Sequence, residues 1–169
     1  MDIGSNNHCA MKDFKDIQVG DRVEFKVVVD DNLHSAFAAL SGDTSPIHSD
    51  GEFCAATPFG QKIGYAFLLE VLLSRLYGCY LPGGSSVCLK QESKFKKPFF
   101  IVDCLKVMAE VSVKVDSIQA VEIRTSIFRN DSDECVYEGI GMVQVFWNRS
   151  LTEPLYELDG KTITAADFI

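Results

Sequence analysis

GYAFLLEVLLSRLYG, residues 64–78, decides the fold. A helix fits residues 65–79, and it leaves only Glu70, Ser74 and Arg75 polar in its interior. A helix apolar almost all round must be wrapped on most sides. The run is too short and too interrupted to be a membrane span, which needs about 20 apolar residues. The wrapping therefore has to come from the chain itself. LPGG follows as a turn, and then four strand candidates, 85–96, 105–115, 120–129 and 135–147. In VMAEVSVKV, residues 107–115, Val107, Ala109, Val111, Val113 and Val115 face one way, and Met108, Glu110, Ser112 and Lys114 the other. The breaks between strands, DSIQ and NDSDE, are short polar turns, which points to antiparallel pairing.

Upstream, QVGDRVEFKVVVD alternates Val23, Phe25, Val27 and Val29 against Arg22, Glu24 and Lys26, the pattern of a strand with one buried face. DDNLHSAFAALSG reads as a helix with Asp30 or Asp31 capping its start, a stripe of Leu33, Phe37 and Leu40, and Gly42 as its stop. His34, close to Asp30 and Asp31, is expected to face solvent. Residues 43–62 read as irregular, punctuated by Pro46, Pro58 and Gly60. One antiparallel sheet curled around a central apolar helix satisfies this order, an α+β class in a single hot-dog domain. The expected organisation is a frayed N-terminus over 1–13, the domain over 14–148, and a C-terminal extension over 149–169 packed on or near it.

Composition narrows the function classes. The 169 residues carry a formal net charge of −8, and 47 % are apolar. An acidic chain is a poor nucleic-acid binder, since phosphate neutralisation needs clustered Lys and Arg. The six cysteines are scattered without a CxxC pair, so free thiols and a reducing compartment are expected. MDIGSNNHCAMKD lacks the basic start and apolar core of a signal peptide. A cytoplasmic protein with no membrane partner is the reading. The three histidines are far apart, with no HxH or HExxH spacing, so no metal site is expected.

SGDTSPIHSD, residues 41–50, holds the titratable pair that matters most. Asp43, Ser45 and Pro46 are ordinary turn chemistry. Pro46 also holds Ser45 extended, and a chain doubling back here could bring Asp43 and His48 to one point. The loop precedes the start of the apolar helix, where unpaired amides are available. Together with AFAALSGDTSPIHSD, three other stretches carry a resemblance: KIGYAFLLEVLLSRLYGCYLPG, FKDIQVGDRVEF and KFKKPFFIVDCLKVMAEV. The sequence resembles the MaoC-type (R)-specific enoyl-CoA hydratases over roughly residues 14–148. In that family the pattern FAxLSGDxNPxHxD is followed by a His-Gly step into the central helix and then LPG.

The resemblance implies that Asp43 and His48 form the catalytic dyad and that Ser74 supports the aspartate. It also implies that the amide at Ala66 contacts the thioester carbonyl, with Gly64 and Tyr65 beside it in the substrate site. Independently, adding water to an unsaturated thioester needs a base for the water, an acid for the α-carbon and a donor for the enolate oxygen. His48 suits the first role, Asp43 can orient the water and handle the second proton, and the Ala66 amide can be the donor. The family's His-Gly step is Tyr65-Ala66 here. Tyr65 is either a residue of the acyl pocket or a core aromatic. Ser74 is either a support for Asp43 or a serine bonded back to its own helix. Lys90, Lys94 and Lys96 either meet coenzyme A phosphates or form a solvated strand face.

The expected activity is hydration or dehydration of an acyl thioester, trans-2-enoyl-CoA to (R)-3-hydroxyacyl-CoA in type. The CoA or acyl-carrier pantetheine comes as part of the substrate, and no other cofactor is needed. A hot-dog thioesterase and a non-catalytic acyl-binding module are the alternatives. The open sheet edge and the resemblance both imply a homodimer.

Overall fold

The computed structural model describes residues 9, 12–129, 134–146, 154–158 and 161–164. After strand β1 (Arg22–Val28) come helix α1 (Asp31–Ser41) and two short helices, α2 (Pro46–Ser49) and α3 (Gly51–Ala55). Helix α4 (Leu68–Arg75) runs on into a π turn, Leu76–Tyr80. Strands β2 (Ser86–Phe95), β3 (Cys104–Val115), β4 (Ala120–Arg129) and β5 (Glu134–Val145) follow. β6 (Pro154–Leu158) and β7 (Lys161–Thr164) pair as a separate hairpin. The main sheet has the order β1-β3-β4-β5-β2, antiparallel throughout.

The sheet curls around α4 because that helix carries the apolar surface. Leu68, Leu69, Leu72, Leu73 and Leu76 are at most 6 % exposed and pack with Val107, Val111, Ile123, Ile127 and Val143 of the strands. Each such side chain taken from water contributes about 1.5–3 kcal/mol. This is the single-domain hot-dog architecture that the helix required. One stripe of the helix is nonetheless bare: Ala66, Phe67, Val71, Ser74 and Arg75 are exposed. Among the described residues the sheet ends at β2, whose outer edge has no strand partner there, so the described sheet does not close over this side.

Several local expectations change in three dimensions. The regular helix begins at Leu68 rather than 65, because Tyr65–Phe67 form a tight turn in which Leu68 N–H donates to Tyr65 O (3.0 Å) and Leu69 N–H to Ala66 O (3.1 Å). The segment 43–62 contains two helical turns: Pro46 occupies the first helical position of α2, and the Asp50 carboxylate caps α3 by accepting from Glu52 and Phe53 amides. In β3 a bulge between Val111 and Val113 turns the pleat, so Val113 is exposed instead of facing inward with Val111. Cys9 and Cys79, expected as free thiols, are joined as a disulfide that brings positions 70 residues apart together. Cys54, Cys88, Cys104 and Cys135 are free. Lys90 and Lys96 pair with Glu92 and Glu138. The expected fraying of the N-terminus falls largely on residues 1–8, 10 and 11, which lie outside the described residues, as does the packing of the 149–169 extension.

Candidate active site

The site is built by the turn between α1 and α2. Asp30 caps α1 by accepting from the Leu33 amide (2.8 Å), and Gly42 ends the helix at φ 71°. Asp43 then closes a turn on itself: the Ser45 amide (2.9 Å) and the Ser45 hydroxyl both donate to its Oδ1. These two donors, the hydroxyl first, hold the Asp43 carboxyl below the usual carboxylate range. Oδ2 is left free to face His48. The His48 ring is fixed from its other side, where Nδ1 lies 2.9 Å from Ile63 O. A carbonyl oxygen only accepts, so Nδ1 carries the proton and Nε2 of the neutral ring keeps a lone pair. His48 Nε2 and Asp43 Oδ2 are 4.0 Å apart, with the imidazole 13 % and the carboxylate 41 % exposed. One water at about 2.8 Å from each would fit that gap.

Behind the pair stands an aromatic layer. Tyr65 is 3 % exposed; its ring lies 4.0 Å from that of His48, 4.6 Å from that of His34 and 5.0 Å from that of Phe37. Its hydroxyl donates to Asp43 O (3.0 Å), and burial, then the Asp43 charge, raise its pKa and keep it a donor. His34 does not face solvent. It is 7 % exposed and its Nε2 donates to the backbone carbonyl of His48 (2.9 Å), while Nδ1 is buried without a hydrogen-bond partner. A signal for this was present: His34 precedes Phe37 by three residues and shares its helix face. The adjacent aspartates hid it.

Ala66 follows Tyr65 directly, and its amide makes no hydrogen bond among the described residues. It is exposed at the head of α4, where an N–H and the positive end of the helix dipole can meet a carbonyl oxygen. Gly64 is buried for packing: its amide donates to Phe99 O (2.7 Å), and a Cβ there would sit 2.0 Å from the Phe99 ring. Ser74 makes no hydrogen bond with Asp43 in the single chain. It lines a cavity of about 330 Å³ between α4 and β2. The structure thus brings Asp43, His48 and Tyr65 together, with Ala66 adjoining, and Ser45 donates to Asp43 from both its amide and its hydroxyl.

Fold and site together define a hot-dog protein with an aspartate–histidine pair beside a free amide at the head of its central helix. Comparison with known proteins identifies its kind. The model of the MaoC-like domain family matches residues 15–128. A 3-hydroxybutyryl-CoA dehydratase of Methylorubrum extorquens is 30 % identical over 132 residues, 78 % of this chain and 83 % of the relative. An (R)-specific enoyl-CoA hydratase of Aeromonas caviae is 39 % identical over 94 residues, 56 % of this chain and 70 % of the relative. Among solved structures, an (R)-hydratase from A. caviae involved in PHA biosynthesis superposes with a TM-score of 0.75 at 31 % identity, covering 78 % of this chain and 99 % of that one. An R-hydratase of Pseudomonas aeruginosa gives 0.75 at 29 % identity, covering 89 % and 95 %. The chain belongs to the MaoC-like domain family.

Proposed function

We propose that the protein is a hydro-lyase that interconverts a trans-2-enoyl-CoA and an (R)-3-hydroxyacyl-CoA. The observation that carries this reading is the 4.0 Å gap between Nε2 of His48 and Asp43 Oδ2, next to the Ala66 amide, which makes no hydrogen bond among the described residues. A water in the gap gives one proton to His48 Nε2 while its oxygen bonds the β-carbon. The displaced π electrons move toward the thioester oxygen, and the Ala66 N–H stabilises the charge that gathers there. Asp43, kept ionised by the Ser45 donors, accepts the other O–H of the water and aims it. The second proton reaches the α-carbon from the dyad, from the imidazolium of His48 or through Asp43, which leaves both groups as they began. Dehydration is the reverse. These steps balance with no cofactor beyond the pantetheine thioester of the substrate. The (R) configuration follows that of the similar (R)-specific enoyl-CoA hydratases.

The test is loss of the enoyl chromophore on crotonyl-CoA with purified protein. Asp43→Asn and His48→Ala are each expected to lower kcat by 10²-fold or more, roughly what positioned acid–base groups supply. Equal inertness of wild type and variants across chain lengths would overturn the reading. A thiol-reactive dye separates it from a thioesterase, because hydration frees no thiol.

We further propose a homodimer in which the free edge of β2 pairs with that of a second copy. Val87, Leu89 and Phe95 on this strand, with Phe67 and Val71 on the bare stripe of α4, are 39–66 % exposed. Hydrophobic surface beside an unpaired strand edge favours self-association. We place the protein in the cytoplasm, on the grounds that CoA thioesters are its substrate and four of its cysteines are free thiols. Trapping thiols in intact cells tests this: Cys9 and Cys79 recovered fully oxidised would count against it.

A further inference from the structure

Residues 99–103 form a strap just ahead of β3, and its backbone is strained. Val102 sits at φ 72° with its side chain 78 % exposed. A β-branched residue in the left-handed region is unfavourable, and it persists only where the surroundings fix it. Here an ion pair does the fixing. Arg129 of β4 grips Asp103 with a two-pronged fork, Nε 3.0 Å from Oδ2 and Nη2 3.2 Å from Oδ1. The Arg129 guanidinium also lies 4.9 Å from the centre of the Phe100 ring, and its Nη1 donates to Glu134 Oε2 of β5 (3.2 Å). Asp103 Oδ2 accepts from the Phe100 amide (2.7 Å), which closes the strap on itself. A planar guanidinium held at two edges and one face has little freedom, so the strap is tied firmly to the sheet.

From the strap, contacts run to His48 by two routes. On one route, Val102 N–H donates to Val29 O (2.7 Å) and Val29 N–H donates to Asp103 O (2.9 Å). Val29 precedes Asp30, the cap of α1, and α1 carries His34, whose Nε2 donates to the carbonyl of His48. On the other route, Gly64 N–H donates to Phe99 O (2.7 Å), and Ile63 pairs with Phe100 in an antiparallel bridge. Ile63 then meets the His48 loop twice. Its N–H donates to Ile47 O (3.3 Å), and its carbonyl accepts from His48 Nδ1 (2.9 Å). The backbone and the ring of His48 are therefore both anchored through the strap. The partner of one ring nitrogen decides which nitrogen is left to act as a base.

We propose that Arg129 and Asp103 are positioning residues that, through the strap 99–103, hold Ile63 O against His48 and so fix which ring nitrogen carries the proton. The proposal rests on the hydratase reading for its kinetic readout only. The experiment records nitrogen-15 NMR spectra of the histidine rings at about pH 8, where an ordinary histidine is neutral. Wild type is compared with Asp103→Ala, Asp103→Asn and Arg129→Lys, and the His48 signals are assigned by their loss in His48→Ala. Circular dichroism confirms folding at the recording temperature. Wild type is expected to show one His48 tautomer, protonated at Nδ1. Asp103→Ala is expected to show exchange between the two tautomers, with kcat on crotonyl-CoA about tenfold lower and KM within twofold. Asp103→Asn keeps an acceptor for the Phe100 amide and is expected to fall between. Arg129→Lys keeps the charge and loses the fork, and it decides the matter if Asp103→Ala does not fold. A His48 ring spectrum unchanged in the folded variants overturns the proposal whatever happens to kcat, because loss of rate alone is what a merely structural pair would give. A wild-type ring that is already a mixture of tautomers overturns it too. If wild type does not hydrate crotonyl-CoA, the hydratase reading fails, and the ring spectrum alone decides the role of the pair.

Discussion

Tyr65 is held between two imidazoles, His34 on one side and His48 on the other, while its hydroxyl secures the backbone of Asp43. His34 in turn grips the carbonyl of His48. Both are buried and bond to the backbone of the pair, which is an effect on position. Positioning is worth a great deal where a base must meet a water at hydrogen-bond distance. His34→Leu removes the donor to His48 O and is expected to lower kcat about tenfold while KM stays within twofold. His34→Asn keeps a side-chain N–H and is expected to recover most of the loss. Steady-state kinetics on crotonyl-CoA reads the split; turnover in His34→Leu equal to wild type would show that the clamp does not hold the base.

At the scale of elements, the head of α4 is set by one close approach. Gly64 has room for no side chain, since Phe99 is itself 1 % exposed and cannot yield. Gly64→Ala is expected to cost about 3 kcal/mol. For a chain of this length that is a fall in Tm of roughly 6–12 °C. Gly51→Ala is the control, because nothing lies within 4 Å of a Cβ there and its φ is unremarkable. Scanning calorimetry of the two variants measures the difference, and a Gly64 variant as stable as the control would contradict the packing account. The strands tell the same story in reverse. Inward alternation along β3 holds from Val107 to Val111 and then fails at the bulge, because one extra residue swaps the two faces of the pleat.

At the scale of the molecule, the bare stripe of α4 and the free edge of β2 leave one side of the wrapped helix uncovered. A second copy would cover both at once, by continuing the sheet across a twofold axis. Leu89→Lys puts a charge on that edge and is expected to shift the protein from dimer to monomer in light scattering coupled to size exclusion. A wild-type protein that runs as a monomer at all concentrations would remove the basis for this interface.

Local patterns of residues were enough to specify the architecture. The apolar run at 65–79 demanded a wrapping sheet, and the two-residue alternations and polar turns supplied it; periodicity, caps and turns are properties of neighbouring residues. The Asp43–His48 loop was legible for the same reason, since Ser45, Pro46 and the two titratable groups lie within six positions. The contacts that arise only on folding join residues far apart in the chain. His34 meets the carbonyl of a residue 14 positions away, Tyr65 reaches Asp43 across 22, and Tyr137 reaches Glu70 across 67. No local pattern encodes such contacts, because they depend on which helix face and which strand face come to oppose each other once the core has closed.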